Sequence, residues 1–470
     1  MLYEVFAICL PLITSPYVSR VLGAEKLGIY SYSYSIATYF GMISMLGIKN
    51  HGNREIAKSK SSIENLSATF INIYSIQLFF SALLSLVYVI YVFNFVYSDR
   101  NIALIQIIYI LSCMIDISWL YFGLEQFKKT SLINISIKIL SFIMILAFVK
   151  NANDLWKYSL ILAAGSFGGQ ILLWFDVKKY IIYIRPSWNQ IKKNIKPMVV
   201  LFIPVLATSI YFIMDKIMIG SISTKTELGL YENSEKLINC AKTVVLSIGT
   251  VMMPRISSLV ASGQKEIIKK YMSQSIELIM MISFAFTFGI MSVATIFAPL
   301  YWGSEFASCD ALLKGLSITL PLSAFGNFVR TQYMIPNNKD VQYIVAVCLS
   351  SIINLVVNVI LIPQYGAKGA VVGTIVAEAG ICVIQCVLVR KEFSSIFYIK
   401  KVLPFLIIGL IMYACVTSVS LYVQNGFIDL GILIICGVVV YSSCVLGYLI
   451  FTQNEFLGEI LKKLWRKKIK

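Results

Sequence analysis

Long runs of apolar residues, separated by short polar segments, repeat along almost the whole chain of 470 residues. A bilayer core about 30 Å thick is crossed by about 20 apolar residues of helix, and runs of that size recur from end to end. The pattern therefore predicts an all-α polytopic membrane protein with about 14 transmembrane helices. The predicted spans are 1–22, 27–48, 70–97, 101–123, 131–149, 155–176, 197–220, 228–253, 273–300, 308–330, 341–363, 367–389, 402–423 and 428–451.

Composition agrees with this pattern, since 58% of the residues are hydrophobic and 13% are charged, against roughly 25% charged in soluble domains. The net charge of +17 does not indicate nucleic-acid binding, because the basic residues lie in short loops between predicted spans. Loops rich in lysine and arginine stay on the cytoplasmic side of a membrane and meet anionic lipid. With an even number of spans, we expect both termini in the cytoplasm.

The first two predicted spans form a hairpin that ends in a basic loop. Pro11 and Pro16 are expected to bend the first helix, because proline removes a backbone hydrogen bond. Gly23 and Gly28 mark a tight turn before the second helix. His51, the single histidine, is interpreted as a solvated residue of the basic loop that follows.

An internal repeat organises the chain. The sequence LGIY at 27–30 recurs as LGLY at 228–231, and Arg54 after the second span has a counterpart in Arg255 after the eighth. Both the glycines (229 − 28) and the arginines (255 − 54) are 201 residues apart. Because six spans return the chain to the same side, the two copies form a parallel repeat. The predicted domains are a six-helix lobe at 1–176, a basic linker at 177–196, a second six-helix lobe at 197–390, two additional helices at 402–451 and a basic tail at 452–470.

The ten cysteines fall almost entirely within apolar runs and are interpreted as small core residues. A single histidine argues against a metal site. No metal and no cofactor is predicted.

Five segments carry a family resemblance. They are PLITSPYVSRVLGAEKLGIYSYSYSIATYF at 11–40, LGIKNHGNREIAK at 46–58, DISWLYFGLEQFK at 116–128, MDKIMIG at 214–220 and IPQYGAKGAVVGTIVAE at 362–378. With these segments the chain resembles the Wzx-type polysaccharide flippases of the multidrug/oligosaccharidyl-lipid/polysaccharide (MOP) exporter superfamily. The resemblance implies a bacterial plasma-membrane protein that moves undecaprenyl-diphosphate-linked repeat units to the outer leaflet for capsule, O-antigen or exopolysaccharide assembly. It also implies a polysaccharide polymerase and a chain-length regulator as partners.

Ionisable residues within spans are costly and are therefore candidates for a substrate cavity or gate. Asp215 and Lys216 are adjacent in span seven, where neighbouring side chains point about 100° apart, so each needs a partner on another helix or water. Asp116 and Trp119 place an acid and a sugar-stacking ring in span four. The full set of candidates is Arg20, Arg54, Asp116, Trp119, Lys138, Asp215, Lys216, Arg255, Arg330 and Glu378.

Each candidate also has an ordinary structural interpretation. Arg20, Arg54, Arg255 and Lys138 are equally typical of cations that snorkel or anchor at the interface. Trp119 suits an interfacial aromatic belt.

Two rival functions belong to other classes. An ion-coupled antiporter for a small soluble substrate would share the fold but would favour an acidic cavity, whereas the charges here are mostly basic. A membrane polysaccharide polymerase needs a sizeable loop or domain for sugar transfer, and every loop here is short. No nucleophile and base pair is visible either, so the sequence favours a transporter over an enzyme.

Overall fold

A computed structural model describes residues 2–423 and 426–452, with side chains excepted at 2–9, 211 and 212. This part of the chain forms helices and no strand. The helices are α1 (Leu2–Met45), α2 (Ile48–Ser59), α3 (Ile63–Phe95), α4 (Arg100–Ile105), α5 (Ile107–Met114), α6 (Ser118–Gly123), α7 (Phe127–Phe148), α8 (Leu155–Trp174), α9 (Trp188–Ile222), α10 (Lys225–Ala261), α11 (Lys265–Trp302), α12 (Cys309–Ser317), α13 (Thr319–Val329), α14 (Asp340–Tyr365), α15 (Ala367–Val389), α16 (Ser395–Ser420) and α17 (Phe427–Phe451).

Within the described ranges, twelve helical segments are long and apolar enough to cross a membrane. They correspond one by one to the third to fourteenth predicted spans. The two remaining predictions, 1–22 and 27–48, are the two halves of α1. The all-helical, multi-pass class predicted from the hydrophobic pattern is therefore confirmed.

The predicted turn between the first two spans is a single residue. Gly23 joins the two halves of α1 with φ 76° and ψ 171°, a backbone conformation that glycine adopts without a steric penalty. Gly28 was predicted to share this turn, and that prediction is wrong, because Gly28 is a buried residue inside the helix. Pro11 and Pro16 are also contained within α1.

The segment predicted as a basic loop after the second span is the amphipathic helix α2. It begins after Gly47, which has φ 73°, and it buries Ile48 and Ile56 while its lysines face outward. His51 was predicted to be solvated, but it is buried, with its Nε2 atom 2.6 Å from Oδ1 of Asn194. The helix forms because its apolar face packs on α3 and α6.

The chain divides into two compact units, 1–232 and 233–470. In the first unit, α1 packs against α3, α5, α7 and α9, and α7 packs along α8. Part of its apolar core lies around Trp119, Phe70 and Ile73. Residues 188–196, predicted as part of the linker, form the first turns of α9.

In the second unit, α14 packs along α15, and α11 packs against α13 and α16. The two helices predicted to lie outside the repeat, α16 and α17, pack on each other and on α11. Phe328 and Phe405 are fully buried in the core of this unit.

Candidate functional site

Asp215 and Lys216, which are adjacent on α9, contact two adjacent residues of α10 within the first unit. The Nζ atom of Lys216 lies 2.8 Å from Oε2 of Glu232. The hydroxyl of Tyr231 donates to Oδ2 of Asp215 at 3.2 Å. Asp215 is buried, whereas Lys216 keeps 20% of its side chain exposed and Glu232 keeps 13%. Of the two environments expected for Asp215 and Lys216, a partner on another helix or water, both residues have the first.

Glu232 also accepts a hydrogen bond from the hydroxyl of Ser31 on α1, at 2.8 Å. Three helices thus converge on one partly accessible ion pair, to which we refer as the Lys216–Glu232 pair. The sequence analysis did not single out Glu232. Its signal was present, since it is an acid within the predicted span 228–253.

Tyrosine rings surround the same part of α1. Tyr30 and Tyr34, one turn apart, stack with their ring centroids 5.6 Å apart. Tyr34 meets Tyr109 edge to face at 5.0 Å, and Tyr30 meets Tyr158 at 4.9 Å. Because Ser31 lies next to Tyr30 on α1, the ion pair has aromatic and hydroxyl groups nearby. Tyr30 and Tyr34 are four residues apart in the sequence YSYSYS, a spacing that places both side chains on the same face of a helix.

A second ion pair involves the candidate Asp116, just before α6. Its Oδ2 atom lies 3.0 Å from Nζ of Lys49 on α2, and its Oδ1 atom accepts from the backbone N–H of Ser118 at 2.9 Å. The negative charge of Asp116 raises the pKa of Lys49. Lys49 is 60% exposed, while the carboxylate of Asp116 is mostly covered. The pair thus presents its cation to the surface and keeps its anion behind it.

Trp119 belongs to the core of the first unit. Its side chain is fully buried, one face stacks on Phe70 at 5.3 Å, and its indole N–H donates to Oε1 of Gln77 at 3.0 Å. A Cβ atom on Gly52 would meet the same ring at van der Waals distance or closer. The contacts of Trp119 in this structure are therefore those of a packing residue, and sugar stacking by this ring stays a prediction.

In the second unit, the candidate Glu378 on α15 forms an ion pair with Lys242 on α10 at 2.7 Å. The side chains are 7% and 13% exposed, respectively. The sequence analysis missed Lys242, although it lies near the middle of a predicted span. A buried charge of this kind requires a partner, because desolvation is costly.

Two arginine candidates of the second unit lie against tyrosine rings. The guanidinium carbon of Arg330 lies 4.6 Å from the ring centroid of Tyr343, and Arg330 begins a π-helical segment that ends at Met334. Arg255 lies 4.0 Å from the ring centroid of Tyr271 and donates to its hydroxyl. Cation–π contacts hold both guanidinium groups in place.

Three further candidates are exposed and do not form part of the pairs above. Arg20 lies at the end of the first half of α1, Arg54 on the outer face of α2, and Lys138 in the middle of α7. Their positions agree equally with a role at a cavity and with interfacial anchoring, so their function stays a prediction.

A family model described as "Polysaccharide biosynthesis protein" matches residues 1–260. A "Putative O-antigen transporter" of Shigella dysenteriae is 22% identical over 374 residues, which cover 78% of this chain and 92% of that protein.

Solved structures show the same fold. The structure titled "Lipid II flippase MurJ, inward closed conformation" has a TM-score of 0.71 at 14% identity, covering 96% of this chain and 99% of its own. An inward-facing multidrug resistance MATE family transporter of the MOP superfamily has a TM-score of 0.64 at 14% identity, covering 83% and 94%. The family model extends over more than half of the residues, and the chain therefore belongs to the polysaccharide biosynthesis protein family.

Proposed function

We propose that this protein is a flippase that moves an undecaprenyl-diphosphate-linked oligosaccharide repeat unit from the cytoplasmic to the outer leaflet of the plasma membrane. Family membership and the O-antigen transporter relative support a role in the transport of lipid-linked glycans. The observation that carries the proposal is the partly exposed Lys216–Glu232 pair, bordered by the hydroxyl of Ser31 and the tyrosines of α1.

The chemistry of the pair suits an anionic sugar-bearing head group. A lysine ammonium group has three N–H donors, so Lys216 can keep its contact with Glu232 and donate a further hydrogen bond to a phosphate oxygen. Ser31 then keeps a hydrogen bond on Glu232 while Lys216 binds the phosphate. Asp215 is held by Tyr231 and keeps the adjacent turn of α9 in place.

The exposed cation of the Lys49–Asp116 pair provides a first contact near the cytoplasmic surface. Lys49 lies on α2, whose other lysine, Lys58, and Arg54 also face outward. A basic surface attracts diphosphate by long-range electrostatics. The positive-inside rule assigns this end of the helices to the cytoplasm, together with both chain termini.

We further propose that translocation proceeds by alternating access between two six-helix lobes, 1–176 and 197–390, joined by the linker 177–196. In this mechanism the lobes rock about a central site. The helices at 402–451 and the tail at 452–470 lie outside the repeat. A polymerase and a chain-length regulator would act on the repeat unit after it reaches the outer leaflet.

An ion-coupled antiporter is the second candidate. Glu378 favours it, because a buried carboxylate in a transport protein is a typical binding group for a proton or cation. Its 2.7 Å contact with Lys242 weakens the case, since the lysine already supplies the positive charge that a coupling cation would bring.

A leaflet assay tests the proposal. The gene is deleted, downstream polymerisation is stopped, and a membrane-impermeant glycan probe reports which leaflet holds the lipid-linked unit. We expect the unit to accumulate out of reach of the probe until this protein is restored. Equal access to the outer leaflet without the protein, in cells lacking other exporters of this family, would refute flipping and favour antiport.

A further inference from the structure

A separate pocket of about 300 Å³ lies in the first unit, at the end of α3 that is remote from the basic helix α2. Tyr32 and Tyr91 line it, together with Tyr97, Asp99 and Lys225. It shares no lining residue with the Lys216–Glu232 pair. By the positive-inside rule this end of α3 faces the outside of the cell.

Tyrosine rings and a fixed lysine form the wall of the pocket. The Nζ atom of Lys225 lies 3.1 Å from the ring centroid of Tyr32 and donates to the carbonyl oxygen of Gly220 at 2.6 Å. The ring of Tyr91 stacks on Phe95 at 5.8 Å. These contacts hold the wall in a defined arrangement before any ligand arrives.

The charges of the pocket are balanced, since it contains one lysine and one aspartate. Asp99 precedes α4 in a left-handed conformation, with φ 55°, and its side chain does not cap that helix. An aspartate at this position commonly accepts a hydrogen bond from the first turn. Asp99 is instead an exposed residue among those that line the pocket, where a carboxylate would repel a phosphate group and accept hydrogen bonds from hydroxyl groups.

An interfacial aromatic belt explains part of this surface. Tyr97 and Phe95 are 85% and 70% exposed, as belt residues are. A belt does not explain why Tyr32 and Tyr91 line a concave space together with Lys225 and Asp99. A volume of about 300 Å³ with a few convergent polar groups matches the lower end of small-ligand sites.

We propose that this pocket binds a neutral sugar ring. The C–H face of a pyranose packs against tyrosine rings, and its hydroxyls donate to Asp99 and accept from Lys225. This inference rests on the proposed function for its biological meaning, because it makes the pocket the site that receives a sugar of the repeat unit on the outer side.

Saturation-transfer NMR on the full-length protein in lipid nanodiscs tests the proposal. The probes are the methyl glycosides of glucose, galactose, mannose and N-acetylglucosamine. Asp99→Asn keeps the backbone, because asparagine tolerates the left-handed conformation, and Tyr97→Ala alters an exposed residue. Tyr422→Ala is the matched control, since Tyr422 is 90% exposed and lies outside the pocket.

We expect at least one glycoside to receive saturation from the wild-type protein and from Tyr422→Ala. Both pocket variants should weaken binding by about fivefold, because Tyr97→Ala removes a ring contact and Asp99→Asn replaces a charge-assisted hydrogen bond with a weaker neutral one. No transfer to any glycoside, or equal transfer in all four proteins, would overturn the proposal. The leaflet assay is read independently: flipping without glycoside binding refutes only the sugar pocket, and binding without flipping refutes only the flippase function.

Discussion

Gly28 and Gly229, which the predicted repeat makes equivalent, pack backbone to backbone. A Cβ atom on Gly28 would meet the carbonyl oxygen of Lys225, and one on Gly229 would meet the carbonyl oxygen of Ala24. Each of these carbonyls lies four residues before the opposite glycine, so the contact is reciprocal. The hydrogen bond from Ser31 to Glu232 joins another pair of residues 201 apart. Residues that the predicted repeat makes equivalent, 201 positions apart, are thus in direct contact with each other.

We predict that Gly28→Ala destabilises the protein. The new methyl group would overlap a backbone carbonyl that cannot rotate away, and overpacking of this kind costs about 1–3 kcal/mol. Thermal unfolding of the purified protein in detergent should show a lower Tm. Gly168→Ala on α8 is the control, because a Cβ atom there meets nothing within 4 Å and alanine favours the helix. An unchanged Tm for Gly28→Ala would contradict the close contact.

We predict that Lys216→Ala and Asp215→Ala lower flipping by about tenfold or more, as expected when a charged hydrogen-bonding group is lost. The leaflet assay measures the rate, and immunoblotting of membranes measures abundance. Asp215→Asn separates charge from hydrogen bonding, since an amide oxygen can still accept from Tyr231. Lys157→Ala is the control, because Lys157 pairs with Asp154, three residues earlier in the chain and outside the proposed site. Normal flipping at normal abundance would remove Asp215 and Lys216 from the mechanism.

We predict that Lys242→Met destabilises the protein by about 3–5 kcal/mol, because Glu378 would remain buried without its cation. The double variant Lys242→Met/Glu378→Met should recover much of this loss, since it removes both buried charges. Unfolding in detergent measures the free energies, and the cycle gives the coupling between the two residues. If the effects of Lys242→Met and Glu378→Met on the free energy of unfolding were additive, the ion pair would make no contribution to stability.

We predict a pH-dependent contribution from Glu392, in the loop between α15 and α16. The ammonium group of Lys339, 2.7 Å away, and the hydroxyl of Tyr333 lower the pKa of Glu392 below its usual 4.5. Because the folded pKa is depressed, the stabilisation is present above pH 4.5 and is lost as the pH falls through the folded pKa.

The Tm difference between wild type and Glu392→Gln should therefore be constant near neutral pH and shrink in acid. Lys339→Met should flatten that dependence, because it removes the main cause of the shift. If the Tm difference between wild type and Glu392→Gln grew in acid, it would contradict a lowered pKa of Glu392 in the folded protein.

The hydrophobic pattern was sufficient to predict the helices of the membrane region. Segment length and apolar content decide whether a helix can span a bilayer, and both can be read along the chain. The pattern failed at α2, whose helical state depends on burying Ile48 and Ile56 against neighbouring helices. It also placed Gly28 in a turn, because sequence does not distinguish a glycine needed for backbone angles from one needed for close packing.

The charged sites were predicted only in part, because contacts between helices cannot be read along the chain. The sequence shows that Lys216 or Glu378 lies within a span, but it does not show which helix supplies the opposite charge. Glu232 and Lys242 were therefore missed, although each is the direct partner of a candidate. The burial of Trp119 could not be predicted either, because it depends on Phe70 and Gly52, which are distant in sequence.

The Lys242–Glu378 pair also has a consequence for biosynthesis. Its two members are separated by 136 residues, so Lys242 enters the membrane well before its acid has been translated. During that interval α10 carries an uncompensated cation, which must stay near the translocon or attract water. A nascent chain that stops before α15 keeps that defect permanently. We expect such incomplete chains to be less stable in the membrane than the full chain, because a charge within the bilayer is costly without a partner.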